Sequence, residues 1–378
     1  MPTLKASARG HCQMARSYMD KLLVSGVGRK CGFPMNESAT SLELLGWSRQ
    51  GIAYPQLTDT QGVSRVVVEH RGAYEILGPF GAHEAILETA SRQIADDPTD
   101  YPAVGDWVVH SLEPIDNRRV GIIEVLPRRS RVLRRAPGSA PVPQVVGANI
   151  DVLALVVSVD QEIDEHLIER YLVTAEGGNA SPIIVVNKSD LGGAGEVRDR
   201  LEQRGIRCPI YLVSAKNENP HDQLVELLNQ GSTVAVTGSS GVGKSTLVNQ
   251  MVGDVVLATG AVTSEGSGRH TTVRRELLLA QGGVLIDTPG LREVQIWEEL
   301  GLETVFHEIA AVATACRFAD CSHRNEPSCA VKQATVDGRI DSSRLASYLA
   351  LCEELSDLTD EIDEYQRSQR RRRDARQN

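Results

Sequence analysis

Near-continuous apolar runs punctuate the middle of the chain: "DVLALVVSV" at 151–159, "PIIVVN" at 182–187, "IYLV" at 210–213, "TVAVTG" at 233–238 and "GVLID" at 283–287. Runs that are apolar on both faces suit buried parallel strands, and helix-compatible stretches at 164–176 and 220–230 suit the crossovers between them. This texture predicts a doubly wound α/β domain. From about residue 60 to 132 the rhythm is shorter. "SRVVVEHRG", "AYEILGP", "GDWVVHSL" and "RRVGIIEVLP" are Val- and Ile-rich segments split by Gly, Pro and Asp. About five such strands predict a small closed barrel. From about 298 the spacing turns helical, interrupted by cysteines. Residues 1–43 show weak periodicity, and a disordered extension is expected there. The expected divisions are 1–43, a barrel at 44–135, the α/β domain at 136–297 and a helical domain with a basic tail at 298–378.

Composition narrows the class. The chain has 378 residues, 41% apolar and 24% charged, which suits a globular protein of two or three domains. Its net charge is −10, so any nucleic-acid surface must be a local patch. No apolar run reaches membrane-span length, and the first residues carry no continuous apolar core of a secretory signal. The seven cysteines are odd in number and three are clustered, which points to a reduced compartment and one metal site.

Candidate chemistry begins at "GSSGVGKST": Gly238, Ser239, Ser240, Gly241, Val242, Gly243, Lys244, Ser245 and Thr246. It follows an apolar run and opens a helix-compatible stretch, as a phosphate cradle requires. There the glycines let amide N–H groups converge on phosphate, and the helix N-terminus adds a favourable dipole. Lys244 is the candidate for the β- and γ-phosphates, Ser245 for Mg²⁺, and Thr246 for the α-phosphate. Asn187, Lys188, Ser189 and Asp190 form N-K-x-D at the end of another run. The Asp190 carboxylate suits the N1–H and N2–H₂ of guanine, whereas adenine would leave it unpaired. Ser214, Ala215 and Lys216 follow the next run, where the Ala215 N–H suits guanine O6. In "DTPG", Asp287 is a candidate for Mg²⁺ and the Gly290 N–H for the γ-phosphate. Thr272, or its neighbour Thr271, in "GRHTT" is the candidate switch threonine, with Thr272 a further Mg²⁺ ligand. Leu291 follows Gly290 where many GTPases carry a water-orienting Gln. Hydrolysis is therefore expected to be slow or to use another group; His270 is the nearest candidate, and a group supplied by a partner is the alternative.

The guanine reader precedes the cradle by about fifty residues. The five elements keep the usual cyclic order of a GTP-binding domain, cut open between D-x-x-G and N-K-x-D, so the sequence predicts a circular permutation. Cys316, Cys321, His323 and Cys329 are spaced C-x₄-C-x-H-x₅-C. Three thiolates and an imidazole form a closed tetrahedral Zn²⁺ set with no place for water, hence a structural site. Two basic stretches stand out: "RRSRVLRR" at 128–135 with five Arg, and 367–378 with six Arg. Either could neutralise phosphates or be solvated charge.

The permuted order, "GSSGVGKST", "GRHTT", "DTPG", the Cys/His pattern and "YPAVGDWV…VLPRRSRVLRRA" together resemble the ribosome small-subunit-dependent GTPase A family, over about residues 60–365. The resemblance implies an OB-fold barrel that binds RNA, a circularly permuted P-loop GTPase and a helical zinc domain. It implies GTP binding by Asn187 to Asp190 and Gly238 to Thr246, zinc on the Cys/His set, and His270 as catalytic histidine. It also implies slow hydrolysis stimulated by the 30S ribosomal subunit during late maturation. The partners expected are GTP and GDP, 16S rRNA and assembly factors, for a monomer in the cytoplasm. The first forty residues and the Arg-rich end stand outside that pattern.

Overall fold

A computed structural model describes residues 41–89, 91, 97–116, 118–136, 138, 140–216, 222–228, 231–252, 275–280, 282–287 and 296–377, all in the unit Glu37–Asn378. His270, Thr272, Gly290, Leu291 and most of the extension at 1–43 lie outside these residues.

Strands β1 (Gln61–His70), β2 (Ala73–Gly78), β3 (Gly81–Leu87), β4 (Trp107–Pro114) and β5 (Val120–Val125) pair in the ring β1-β2-β3-β5-β4 and close by β4 on β1. Only the β3–β5 pair is parallel. This is the OB-type barrel. Its interior is filled by Val66, Tyr74, Ile76, Val108 and Ile122. A register shift between Val66 and Val68 breaks the alternation of β1, as a bulge does. Val67 and Val68 consequently both join a second core outside the barrel.

The nucleotide-type sheet is built from β8 (Val152–Ser158), β9 (Ser181–Asn187), β10 (Ile210–Leu212), β11 (Thr233–Gly238), β12 (Glu276–Ala280) and β13 (Gly283–Asp287). Their order is β10-β9-β8-β11-β13-β12, parallel except for β12. The chain therefore lays one edge first, from β8 out to β10, and only then inserts β11 at the centre. This is the topology of the permuted motif order. Helices α1 (Glu165–Gly177), α2 (Ala194–Gln203), α3 (Asp222–Glu226) and α4 (Lys244–Val252) form the crossovers. Asp164 caps α1 by accepting from the Leu167 amide, satisfying a donor the first turn leaves free.

Barrel and sheet share one core. Val63, Val104 and Trp107 belong to the same apolar cluster as Leu153, Ile184 and Ile286, and Val68 on β1 pairs with Glu276 on β12. The joint is also polar. Arg65, only 1% exposed, donates to the carbonyls of Gly105, Leu45 and Asn149 and to Thr233 Oγ1, and lies over the Trp107 ring. Asp151 accepts from Arg49 Nε at 2.9 Å, Arg129 Nη2 at 2.7 Å and the Thr233 amide at 2.8 Å. Buried charges of this kind are tolerated only when so surrounded. Burial nevertheless brings the Arg65 guanidinium down to about 10.

A separate hairpin, β6 (Arg131–Arg135) with β7 (Pro143–Ala148), links barrel to sheet. Its arginines and those before it are paired within the molecule, though Arg129, Arg131 and Arg135 stay partly exposed. Arg128 pairs with Asp106, Arg129 with Asp151, Arg131 with Glu298 and Arg135 with Glu361, and Arg134 donates to Gln144. The run read as phosphate-binding or solvated charge also supplies a set of ties within the chain, because each Arg meets an acceptor that is distant in sequence or across the hairpin.

The C-terminal part comprises α5 (Leu300–Val305), α6 (His307–Ala313), α7 (Ala330–Val336) and the 36-residue α8 (Ser342–Gln377). Leu351 and Leu355, with Tyr348 packed against them, put helix-spaced side chains into a core with Phe306, Ile309 and Val331. Glu169 on α1, fully buried, accepts from Arg204 Nε at 2.7 Å and from Arg344 Nη1 at 2.8 Å, fastening α8 to the sheet's helices. Among the described residues no helix is long and apolar enough to cross a membrane.

Candidate nucleotide site and metal centre

At the carboxyl ends of β8, β9, β10, β11 and β13 the candidate residues converge. The crevice between β8 and β11, from which connections depart in opposite directions, is where open α/β sheets bind ligands. Gly238 ends β11, and Lys244, Ser245 and Thr246 open α4. Val242 is buried in the core beneath and anchors the loop, while Ser239, Ser240, Ser245 and Thr246 are exposed. Lys244 Nζ donates to the carbonyls of Gly238 at 2.9 Å and Ser239 at 2.6 Å. The ammonium thus folds back over the loop whose amides would cradle phosphate.

Asn187 closes the site. It is buried at the end of β9 and donates through Nδ2 to the Val242 carbonyl at 2.7 Å. Its Oδ1 accepts from the Ala215 amide at 3.1 Å. One side chain therefore holds the phosphate loop and both base loops. Lys188, in the left-handed region at φ 60, donates to Gly241 O at 2.8 Å and to both oxygens of Asp160, at 2.7 and 3.0 Å. Gly243 must be glycine: φ is +95, and a Cβ there would lie 2.3 Å from Asn187 Nδ2. At Gly238, φ +140, a Cβ would meet the Val156 carbonyl at 2.2 Å.

Asp190 faces outward and accepts from Ser214 Oγ at 2.5 Å, with Lys216 Nζ 3.9 Å away. The Ser214 hydroxyl, aided by the two lysines, holds this carboxylate below its ordinary pKa, so it stays an acceptor for N–H donors. The Ser189 amide donates to Val213 O at 3.0 Å, locking the two base loops together. Asp287 ends β13, next to β11. Burial raises its pKa and the Lys244 charge opposes the rise. A half-buried carboxylate within electrostatic reach of Lys244 is a hard oxygen donor that suits Mg²⁺.

Three residues outside the motifs also build the site. Asp160 holds Lys188, Gln161 Nε2 donates to Ser240 O at 3.1 Å, and Gln250 Nε2 donates to Ala215 O at 2.6 Å. The first two sit just past the carboxyl end of β8, the one positional signal that could have found them. Gln250 had no such signal.

The Cys/His set is brought together in the helical part. The candidate ligand atoms of Cys316, Cys321, His323 and Cys329 all lie within 4.8 Å of one another. Cys316 Sγ is 3.6 Å from His323 Nδ1 and 3.9 Å from Cys329 Sγ, and His323 Nδ1 is 3.4 Å from Cys329 Sγ. Tetrahedral bonds of about 2.3 Å to sulfur imply S–S edges of about 3.8 Å. Spacing and donor set therefore fit one Zn²⁺ with every position filled by protein.

Comparison with known proteins agrees with this assembly. The family model described as RsgA GTPase matches residues 125–297. A protein of Opitutus terrae named small ribosomal subunit biogenesis GTPase RsgA is 40% identical over 332 residues, covering 82% of this chain and 88% of the relative. One of the same name from Methanosarcina acetivorans is 38% identical over 316 residues, covering 82% and 84%. Among solved structures, YjeQ from Thermotoga maritima aligns with TM-score 0.57 and 29% identity over 78% of this chain and 98% of that one. YloQ, described as a circularly permuted GTPase, aligns with TM-score 0.55 and 25% identity over 79% and 96%. Barrel, permuted sheet and Cys/His cluster, together with this likeness over most of its length, make the chain a GTP-hydrolysing enzyme of the RsgA GTPase family.

Proposed function

We propose that the chain binds the small (30S) ribosomal subunit and hydrolyses GTP slowly until the subunit accelerates it, in late small-subunit maturation. The observation that carries the nucleotide half is the Asn187 clasp, which joins base reader and phosphate loop in one pocket. The ribosomal half is carried by the likeness to relatives named for small-subunit biogenesis. Action in the cytoplasm as a monomer, alongside assembly factors, follows from the same reading.

In this reading Asp190 takes the guanine N1–H and N2–H₂, and the Ala215 N–H, which donates to Asn187 Oδ1, is shared with O6 when the base enters. Lys244 leaves the Gly238 and Ser239 carbonyls for the β- and γ-phosphates. Ser245, Thr272 and Asp287 would hold Mg²⁺, which neutralises charge between the phosphates. Gly290 N–H senses the γ-phosphate. With Leu291 unable to orient water, His270 or a ribosomal group does so. The zinc set would stabilise the helical domain without chemistry. Phosphate contacts fall to the barrel surface and to α8, whose Arg367, Arg370 and Arg371 are exposed.

The test is single-turnover GTP hydrolysis with and without isolated small subunits. Strong stimulation, abolished in His270→Ala, is expected. Leu291 leaves room for a second reading, a GTP-gated RNA-binding module whose hydrolysis is incidental. Nucleotide-dependent subunit binding without acceleration would establish that reading.

A further inference from the structure

Five carbonyls in a row along the phosphate loop, from Gly238 to Val242, each accept a hydrogen bond from a side chain. Lys244 Nζ takes the first two. Gln161 Nε2 reaches Ser240 O at 3.1 Å, Lys188 Nζ reaches Gly241 O at 2.8 Å, and Asn187 Nδ2 reaches Val242 O at 2.7 Å. Asn187 and Lys188 belong to the base reader. Gln161 and the acidic partner of Lys188 come instead from the turn that follows β8. There the Gln161 amide donates to Ser158 O at 3.2 Å and the Val159 amide to Asn187 O at 3.3 Å, which sets the turn against the end of β9. Buried Ser158 donates through Oγ to Asp160 Oδ1 at 2.7 Å. Asp160 in turn holds the Lys188 ammonium with both oxygens, at 2.7 and 3.0 Å.

In a trans peptide the carbonyl and the following N–H point opposite ways. Carbonyls of Ser240, Gly241 and Val242 pinned toward the β8 and β9 loops therefore turn the N–H groups of Gly241, Val242 and Gly243 away from those loops. Successive N–H groups so turned, with left-handed φ at Gly241 (+83) and Gly243 (+95), form an anion-binding concavity. The same glycines leave their peptides free to rotate, so an unpinned loop samples conformers with the N–H groups misdirected. We propose that the turn after β8 is a positioning element for the phosphate loop, in which Gln161 directly and Asp160 through Lys188 fix the Ser240 and Gly241 carbonyls so that the following N–H groups face the phosphates of the nucleotide. The proposal rests on the assignment of Gly238 to Thr246 to phosphate. Gln161 and Asp160 are exposed, so neither adds to the core, and surface contacts of this kind contribute little to folding stability. Their contribution is preorganisation: affinity falls with the fraction of loop in the competent conformer. Among the described residues the Gln161 side chain hydrogen-bonds only to the phosphate loop, so its loss falls on the phosphates and spares the base.

The experiment titrates GDP, a non-hydrolysable GTP analogue and guanosine into full-length, zinc-loaded protein with Mg²⁺. Gln161→Ala should weaken GDP and the GTP analogue together by about two- to tenfold, the loss of one neutral hydrogen bond. Gln161→Glu, which turns an acceptor onto the Ser240 carbonyl, should weaken them further. Guanosine affinity and the melting temperature should stay at wild-type values in both variants. Asp160→Ala should weaken GDP in the same way, and Asp160→Asn, which keeps an acceptor for Lys188, should recover most of that loss. Unchanged GDP affinity in Gln161→Glu overturns the proposal. So does a loss shared equally by GDP and guanosine with a lower melting temperature, which marks a merely structural turn. Undiminished GDP binding in Lys244→Ala overturns instead the assignment of the loop to phosphate.

Discussion

Asn187 and Val242 are fifty-five residues apart and joined by a 2.7 Å hydrogen bond. That bond makes the base pocket and the phosphate pocket one structure. Asn187→Ala would strand the Val242 carbonyl and the Ala215 amide, at a cost of about 1–3 kcal/mol for each buried group. GTP and GDP affinity should fall together by tenfold or more, with a lower melting temperature. Titration with fluorescent GDP checks this; altered base preference at full affinity would contradict it.

Gly243 faces the same clasp from the other side. Gly243→Ala combines a disfavoured φ of +95 with a Cβ 2.3 Å from Asn187 Nδ2. Strain of about 1–3 kcal/mol is expected for the backbone, and Asn187 must move. Nucleotide binding should be lost while the barrel remains folded, as read by titration calorimetry and circular dichroism.

Much of this was legible in the chain. The apolar runs at 151–159, 182–187, 233–238 and 283–287 fall on β8, β9, β11 and β13, because strands buried on both faces have little choice of residue. The Cys/His spacing was legible because metal geometry restricts it. Strand β3, "GAHEAIL", lacks the Val and Ile density of its neighbours, and β12 is short. The β6–β7 hairpin hid behind its charges. Five Arg in eight residues read as a surface for phosphate or as solvated charge, whereas their acceptors, Asp106, Asp151, Gln144, Glu298 and Glu361, are up to 226 residues away. Such pairings leave no local pattern. Asp160, Gln161 and Gln250 were invisible for the same reason.

Asp190 is held ionised by the Ser214 hydroxyl. Asp190→Asn replaces an acceptor with an amide that can face a xanthine carbonyl. Preference should move from GTP to XTP by two orders of magnitude or more, in line with sites built to read a hydrogen-bonding edge. Competition between the two nucleotides measures it, and unchanged GTP affinity would refute the assignment of this carboxylate to the base.

Zinc removal should act locally. The ligands lie between α6 and α7, in the core that also holds α8. Chelation under reducing conditions should expose amides of 314–340 to exchange and lower helical content, since structural zinc contributes folding energy directly. GDP affinity should stay within about twofold, because among the described residues no ligand contacts the nucleotide loops. Loss of GDP binding on chelation would show that the helical part and the nucleotide pocket fold as one.

His110 gives the barrel a pH dependence whose sign can be worked out. Its ring is buried; Nε2 lies 2.9 Å from Ser64 Oγ and Nδ1 2.9 Å from Ser111 O. A neutral ring satisfies both, with Nδ1–H donating to the carbonyl and Nε2 accepting from the hydroxyl. Burial brings its pKa from 6.5 to about 4. Above pH 6.5 neither folded nor unfolded chain protonates this group, so it contributes no slope. Between about 6.5 and 4 the unfolded chain takes up a proton that the folded barrel refuses, and stability falls as pH falls. The full loss is on the order of 3 kcal/mol. Urea unfolding followed by barrel tryptophan emission from pH 8 to pH 4 should show this decline. His110→Phe should flatten it across that window despite a lower stability at pH 8 from the orphaned Ser64 hydroxyl. An identical slope in the variant would place the acid sensitivity elsewhere.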